Sequence, residues 1–98
     1  MSDSHVHVVG TGTIGEPLIG LLCRMREPLG IETISFHKET ARLEDRAKVR
    51  ALIGRGALLA AHPEEAKKFR DMGMDVSFSV EDALGEAAVV IDCTPVGN

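Results

Sequence analysis

The chain has no tryptophan, no tyrosine and only three phenylalanines among its 98 residues. Without an aromatic platform for stacked bases, and with no basic stripe on a chain of formal net charge -4, nucleic acid is not an expected partner. Cysteine is scarce as well. Cys23 and Cys93 lie far apart with no metal-ligand spacing, and in a reducing cytosol each reads as a small buried hydrophobe rather than half of a disulfide. No apolar run approaches the ~18 residues of a membrane helix. Met1-Ser2-Asp3-Ser4 has neither a basic region nor an apolar signal core, so a cytosolic protein is expected. The remainder is ordinary for a soluble globular chain, 44% hydrophobic and 27% charged. At this length it makes at most one small domain, burying somewhat over ~60% of its unfolded surface.

The most informative stretch is His5-Val6-His7-Val8-Val9-Gly10-Thr11-Gly12-Thr13-Ile14-Gly15. A short β-branched strand breaks into Gly-x-Gly-x-x-Gly and enters an apolar-periodic segment at Pro17-Leu18-Ile19. The glycine spacing alone is a weak signal. A strand before it and a helix after it make it a dinucleotide fingerprint. Gly10 permits the tight turn, Gly12 lets backbone approach a pyrophosphate, and Gly15 lets helix and strand pack closely. The N–H groups of the first helical turn then face the phosphate oxygens, where the helix dipole favours negative charge.

The rest alternates strand and helix, which predicts an α/β fold: a Rossmann-like, doubly wound, mostly parallel sheet with flanking helices. Strands are predicted at His5–Val9, Ile31–Phe36, Ala57–Ala61, Asp75–Phe78 and Ala88–Asp92, the last fully apolar almost to its end, as buried parallel strands are. A helix over Ile14–Arg26 presents Leu18, Leu21, Leu22 and Met25 on one face, and Pro28 and Gly30 close it. A charged helix over Glu39–Ile53 turns Leu43, Ala47, Ala51 and the Val49/Leu52/Ile53 edge inward. A third opens at His62-Pro63-Glu64-Glu65, with Ala66, Phe69 and Met72 inward, and Ser79 caps a fourth with an acid three residues on. Thr94-Pro95-Val96-Gly97-Asn98 follows the last strand, at the carboxyl end where a cofactor crevice opens. The chain therefore reads as the N-terminal part of a larger protein, a stand-alone domain being the other possibility.

Several side chains invite chemistry. About 20 residues after the glycine turn, where an acid grips ribose hydroxyls in NAD-specific folds, the chain reads Ser35-Phe36-His37-Lys38. A cationic Lys38, helped by Ser35 or His37, suits a 2′-phosphate and favours NADP over NAD; the plainer reading is an exposed lysine before a helix. His5 and His7 alternate on one strand face and offer two metal ligands, but no third stands nearby, so no metal site is assigned and hydrogen-bonded or partly exposed histidines are expected. Cys93 has no legible base or oxyanion site and reads as a packed thiol. Asp92 reads as a strand-end carboxylate, and Glu44–Arg50 as a solvated helix face. No catalytic residue is assigned.

Gly12-Thr13-Ile14-Gly15, Phe36-His37-Lys38, Arg55-Gly56-Ala57-Leu58-Leu59-Ala60-Ala61, the run Glu65–Val76 and Ala87–Pro95 together resemble the archaeal-type (type II) glyceraldehyde-3-phosphate dehydrogenases. The resemblance covers nearly the whole chain. It implies the NAD(P)-binding part of an enzyme that oxidises an aldehyde through a cysteine thiohemiacetal, passes hydride to NAD(P) and releases the acyl group to phosphate. Carried over residue by residue, it sets Thr13 and Ile14 against the dinucleotide, Lys38 near the adenosine ribose, and Thr94 and Pro95 beside the nicotinamide. With Gly10, Gly12 and Gly15 these are the candidate cofactor residues. Glu16-Pro17 departs from the family, putting an acid either toward the pyrophosphate or harmlessly into solvent. The family's nucleophilic cysteine has no counterpart in this chain, and its tetrameric habit suggests a homo-oligomer in a full-length form. Another NAD(P)-dependent dehydrogenase, of homoserine or semialdehyde type, and a dinucleotide-binding or sensing module without catalysis are the alternatives.

Overall fold

The apolar residues change period from two to 3.6 and back along the chain, and the elements follow that change. The computed structural model describes residues 4–11, 14–38 and 41–93. Its strands are β1 (His5–Val9), β2 (Thr33–His37), β3 (Leu58–Ala61), β4 (Phe78–Ser79) and β5 (Val89–Asp92). They form one sheet in the order β4-β3-β2-β1-β5, with every neighbouring pair parallel. Between them run α1 (Gly15–Arg24), α2 (Arg26–Leu29), α3 (Arg46–Gly54), α4 (Pro63–Asp71) and α5 (Val80–Glu86). This is the doubly wound α/β architecture expected from the sequence.

Three crossovers carry the chain outward from β1 to β4, and right-handed crossovers set α1, α3 and α4 on one face of the sheet. Val8, Ile34, Phe36, Leu59 and Ala61 point to that face. They pack against Ile19 and Cys23 of α1, Val49 and Leu52 of α3, and Ala66 and Phe69 of α4. Phe36 and Phe69 are fully buried, each worth about 1.5–3 kcal/mol in apolar surface removed from water. The crossover through α5 returns past β1 to β5, so α5 lies over the opposite face with its buried Val80 and Ala83.

That second face is polar inside. The parallel register aligns His5, His7, Ser35 and His37 on one side of β1 and β2, and all four are buried. They satisfy one another: His5 Nε2 lies 2.7 Å from Ser35 Oγ, Ser35 Oγ lies 2.6 Å from His7 Nδ1, and His7 Nε2 lies 2.8 Å from His37 Nδ1. Phe78 closes one end, its ring centroid 5.5 Å from that of His5.

Several elements differ from expectation for identifiable reasons. The first helix stops at Arg24, because in a continuous helix the Pro28 ring would collide with the Arg24 carbonyl; Pro28 instead sits in the first turn of the separate α2. The buried stripe of α1 is Gly15, Ile19, Gly20 and Cys23, while Leu21 and Met25 are exposed and Leu18 and Leu22 flank the core. The next helix begins only at Arg46, after a 3-10 turn over Leu43–Asp45, and Leu43, Ala47 and Ala51 face solvent. Ala41 N–H donates to Glu65 Oε1 at 2.8 Å, tying this stretch to α4 instead of starting a helix. The fourth strand pairs only at Phe78–Ser79, and Ser79 Oγ accepts from Asp82 N–H as the capping pattern predicts. The last strand is apolar but not buried. Among the described residues it lies at the edge of the sheet, with Val89 51% and Val90 47% exposed.

Burial, then the neighbouring His37 and His5, push the His7 imidazole down from 6.5 to about 4. The fold thus keeps His7 neutral while the unfolded chain takes up a proton. Stability from this residue is complete above pH 6.5, falls as pH drops toward 4, and loses roughly 3 kcal/mol in all. Urea unfolding followed from about pH 7.5 down to about pH 4 should show this loss. His7→Leu should lack that part of the slope; an unchanged slope would assign the acid sensitivity to other groups.

Candidate functional site

The direction of strand addition reverses at β1, with β2, β3 and β4 on one side and β5 on the other. A ligand crevice in such a sheet lies outside the carboxyl ends of the strands at the reversal. There Val9 pairs with His37 on one side and Asp92 on the other, so three strand ends form one row. Cys93 N–H donates to Val9 O at 2.9 Å and prolongs the row.

The glycine turn leaves β1 at this point. Gly10 adopts φ +96°, a conformation that L side chains rarely take. Gly15 opens α1, and a Cβ there would drive into the Gly10 carbonyl, 2.9 Å from its carbon. That obstacle is backbone and cannot swing aside, so helix and strand meet at a separation that only glycine permits. Among the described residues no side chain caps the N-terminus of α1, so its first N–H groups and positive dipole end can serve another partner. Thr11 is 3% exposed and its Oγ1 has no hydrogen-bond partner among the described residues. A buried hydroxyl left so costs about 1–3 kcal/mol, which a phosphate oxygen or an ordered water would offset. The close glycine approach, the uncapped helix and the orphaned hydroxyl together fit a dinucleotide pyrophosphate.

The other candidates are distributed around this turn. Ile14 precedes α1 with its side chain 67% exposed at the rim. Glu16 turns toward α3, where its Oε2 lies 4.0 Å from Lys48 Nζ, so the acid is directed sideways. Lys38 follows β2 and pairs with Asp45 at 3.2 Å. Gly12, Thr13, Thr94 and Pro95 lie outside the described residues. Cys93 packs against the apolar core beside the turn. Cys23 is buried within α1, and that burial pushes its thiol pKa up, against smaller opposing effects of Arg26 and Arg55. A cavity of about 510 Å³ lies between α1 and Arg55, and neither Gly10, Thr11, Ile14 nor Gly15 lines it. Among the described residues, no group of three or more His, Cys, Asp or Glu could hold a metal, and no helix is long and apolar enough to cross a membrane.

In sequence His5 and His7 stand as one pair and Ser35 and His37 as another, whereas in the structure the four form a single buried chain. The signal was present. His-x-His and Ser-x-His each alternate with apolar residues at period two, and adjacent parallel strands bring such alternations to one face.

A parallel sheet reversing at β1, with a glycine turn feeding an uncapped helix at that reversal, defines a Rossmann domain of the kind that dinucleotide-binding oxidoreductases carry. Sequence comparison agrees. Over 92 residues, 94% of the chain, it is 34% identical to a glyceraldehyde-3-phosphate dehydrogenase of Methanothermus fervidus, covering 26% of that protein. Over 91 residues, 92% of the chain, it is 32% identical to a glyceraldehyde-3-phosphate dehydrogenase of Methanobrevibacter smithii, covering 25% of it. The chain thus spans about a quarter of the length of these relatives. No protein-family model matches it.

Gly15→Ala should lower stability by about 1–3 kcal/mol, since the methyl group meets backbone that cannot yield. Gly85→Ala in α5, where a Cβ meets open space, should instead raise it by about 0.4–1 kcal/mol. Thermal unfolding of the two variants beside the parent measures the contrast, and equal effects would refute the close approach.

Proposed function

We propose that residues 1–98 form the NAD(P)-binding part of a longer, two-domain oxidoreductase of the glyceraldehyde-3-phosphate dehydrogenase type. The observation that carries this reading is the contact between Gly15 and the Gly10 carbonyl at the sheet's reversal point. The chain that carries this turn is 34% and 32% identical to those two relatives over 92 and 91 residues. The bound cofactor would supply the hydride acceptor for aldehyde oxidation. This chain's residues would do the holding: Gly10, Gly12 and Gly15 admit the pyrophosphate, Thr11 and the α1 N–H groups bond it, and Thr13 and Ile14 flank it. Thr94 and Pro95 border the nicotinamide side. The nucleophilic cysteine and the substrate-phosphate residues belong to sequence outside these 98 residues.

NADP is the favoured cofactor, because the cation Lys38 follows β2 and Ser35–Lys38 contains no acid; Ser35 and His37 are themselves buried and bonded to His5 and His7. Lys38 must then exchange or share its Asp45 partner with the 2′-phosphate.

Calorimetric titration with NADP and with NAD tests the reading directly. Saturable binding of either supports it, and tighter NADP binding supports the role of Lys38. Gly12→Val should abolish binding of both while the fold survives; undiminished binding would remove the glycine turn from the site. Absence of binding by the parent chain would leave the module without an independent cofactor site.

A further inference from the structure

We propose that Asp45 is the ribose-side acid of this domain, brought to the cofactor by the fold and not by its spacing in sequence. Its pairing with Lys38 limits the preference for NADP over NAD that Lys38 alone would give. The proposal rests on the dinucleotide-binding reading above and names the residue that regulates cofactor choice at that site.

A Rossmann domain that takes NAD carries an acid about 20 residues after the glycine turn, where it grips the ribose hydroxyls. In this chain that station is Ser35–Lys38 and contains no acid. The structure delivers one from further along. Lys38 directly follows His37, the last residue of β2, and His37 pairs with Val9, which leads into Gly10. Asp45 Oδ2 lies 3.2 Å from Lys38 Nζ. A carboxylate in contact with that ammonium stands on the ribose side wherever Lys38 does.

The local structure holds Asp45 in this place. Asp45 ends the 3-10 turn Leu43–Asp45, and α3 begins at Arg46. An aspartate just before a helix ordinarily caps it, accepting from the helix's first N–H groups. Here the side chain makes no cap bond and turns to Lys38 instead. The segment is tied down on both sides of the turn. Ala41 N–H donates to Glu65 Oε1 at 2.8 Å, and Arg46 Nε donates to Met72 O at 2.7 Å. Within the turn, Asp45 N–H donates to Arg42 O at 3.1 Å. A carboxylate fixed in this way loses little freedom when a ligand arrives. The Lys38 and Asp45 side chains are 23% and 18% exposed, sheltered from water yet open to a ligand oxygen. Glu44, the preceding acid, differs: it lies 3.8 Å from Arg42, and both side chains stand well out in solvent. Glu39 lies outside the described residues.

The two cofactors meet this pair differently. The adenosine ribose of NAD presents hydroxyl donors, and a carboxylate is an acceptor with two oxygens, neutralised here by the ammonium beside it. The 2′-phosphate of NADP replaces one hydroxyl and brings a charge of about -1.5 to -2. Lys38, with three N–H donors, would turn toward that phosphate. Asp45 would then face the phosphate with its counter-charge drawn away. Lys38 therefore favours NADP and Asp45 opposes it, and the preference is the difference between the two effects.

The test is calorimetric titration of the parent chain and of four single variants with NAD and with NADP at one ionic strength. Asp45→Asn should strengthen NADP binding and weaken NAD binding, moving the ratio of the two affinities by roughly tenfold or more. Asparagine can still cap α3, so thermal unfolding should stay close to that of the parent. Asp45→Ser, a second neutral capping residue, should repeat the shift. Glu44→Gln and Glu39→Gln remove the same charge nearby and should leave the ratio within about twofold. If both cofactors bind and the Asp45 variants leave their ratio unchanged, or change both affinities by the same factor, the selector role is refuted and the binding reading stands. A shift reproduced by Glu39→Gln and not by Asp45→Asn would give the role to Glu39 and overturn the assignment. If the parent binds neither cofactor, both readings fall.

Discussion

The contact of Gly15 with the Gly10 carbonyl is the constraint on which the remaining structure depends. It sets how closely α1 lies on β1, and so brings Ile19 and Cys23 down onto Val8, Ile34 and Phe36. Gly20, buried on the same stripe, faces the Arg55 side chain instead. The Gly15 contact also aims the first turn of α1 at the reversal point of the sheet. Packing and anion binding are therefore served by one geometry. A larger residue at position 15 would tilt the helix away from the core and from the crevice together.

The two faces of the sheet solve different problems. One is apolar, and its cost is the conformational entropy of ordering three helices, offset by burial of rings and branched side chains. The other buries three imidazoles and a hydroxyl, and does so without orphaned atoms because neighbouring strands are in register. A slip of one residue between β1 and β2 would bring His7 opposite Phe36 or Ile34 and break every bond in the chain. The polar face thus specifies the register that the aliphatic face alone would enforce less strictly.

Much of this was legible in the sequence. Period-two apolar runs at Val6-Val8 and Ile34-Phe36, the Pro63 helix start and the Ser79 cap each carry a local signal that the structure repeats. What was not legible depended on tertiary context. Leu21 and Met25 have helical spacing to face a core, but Gly15, by its close approach to the Gly10 carbonyl, turns the opposite stripe inward. Leu43 was assigned to a helix that Glu65 pre-empts by capturing the Ala41 N–H from another element. Val89 and Val90 read as buried because they are apolar, yet burial of a strand is set by its place in the sheet. Of the candidate site, the turn was readable from glycine spacing. The orphaned Thr11 hydroxyl, the Lys38–Asp45 pair and the sideways Glu16 required coordinates.

The sheet order also carries a consequence for how the chain acquires its shape. β1 is an interior strand, flanked by β2 and by β5, and Val6 pairs with Val89 from near the opposite end of the sequence. During synthesis the strands from β1 to β4 can assemble as they leave the ribosome, but one flank of β1 stays bare until β5 emerges. Closing that long-range pairing costs the most chain entropy and comes late, which is the pattern of slow-folding topologies. Until then the unpaired edge of β1 is open to any passing strand, and a nascent chain of this architecture depends on β5 arriving first.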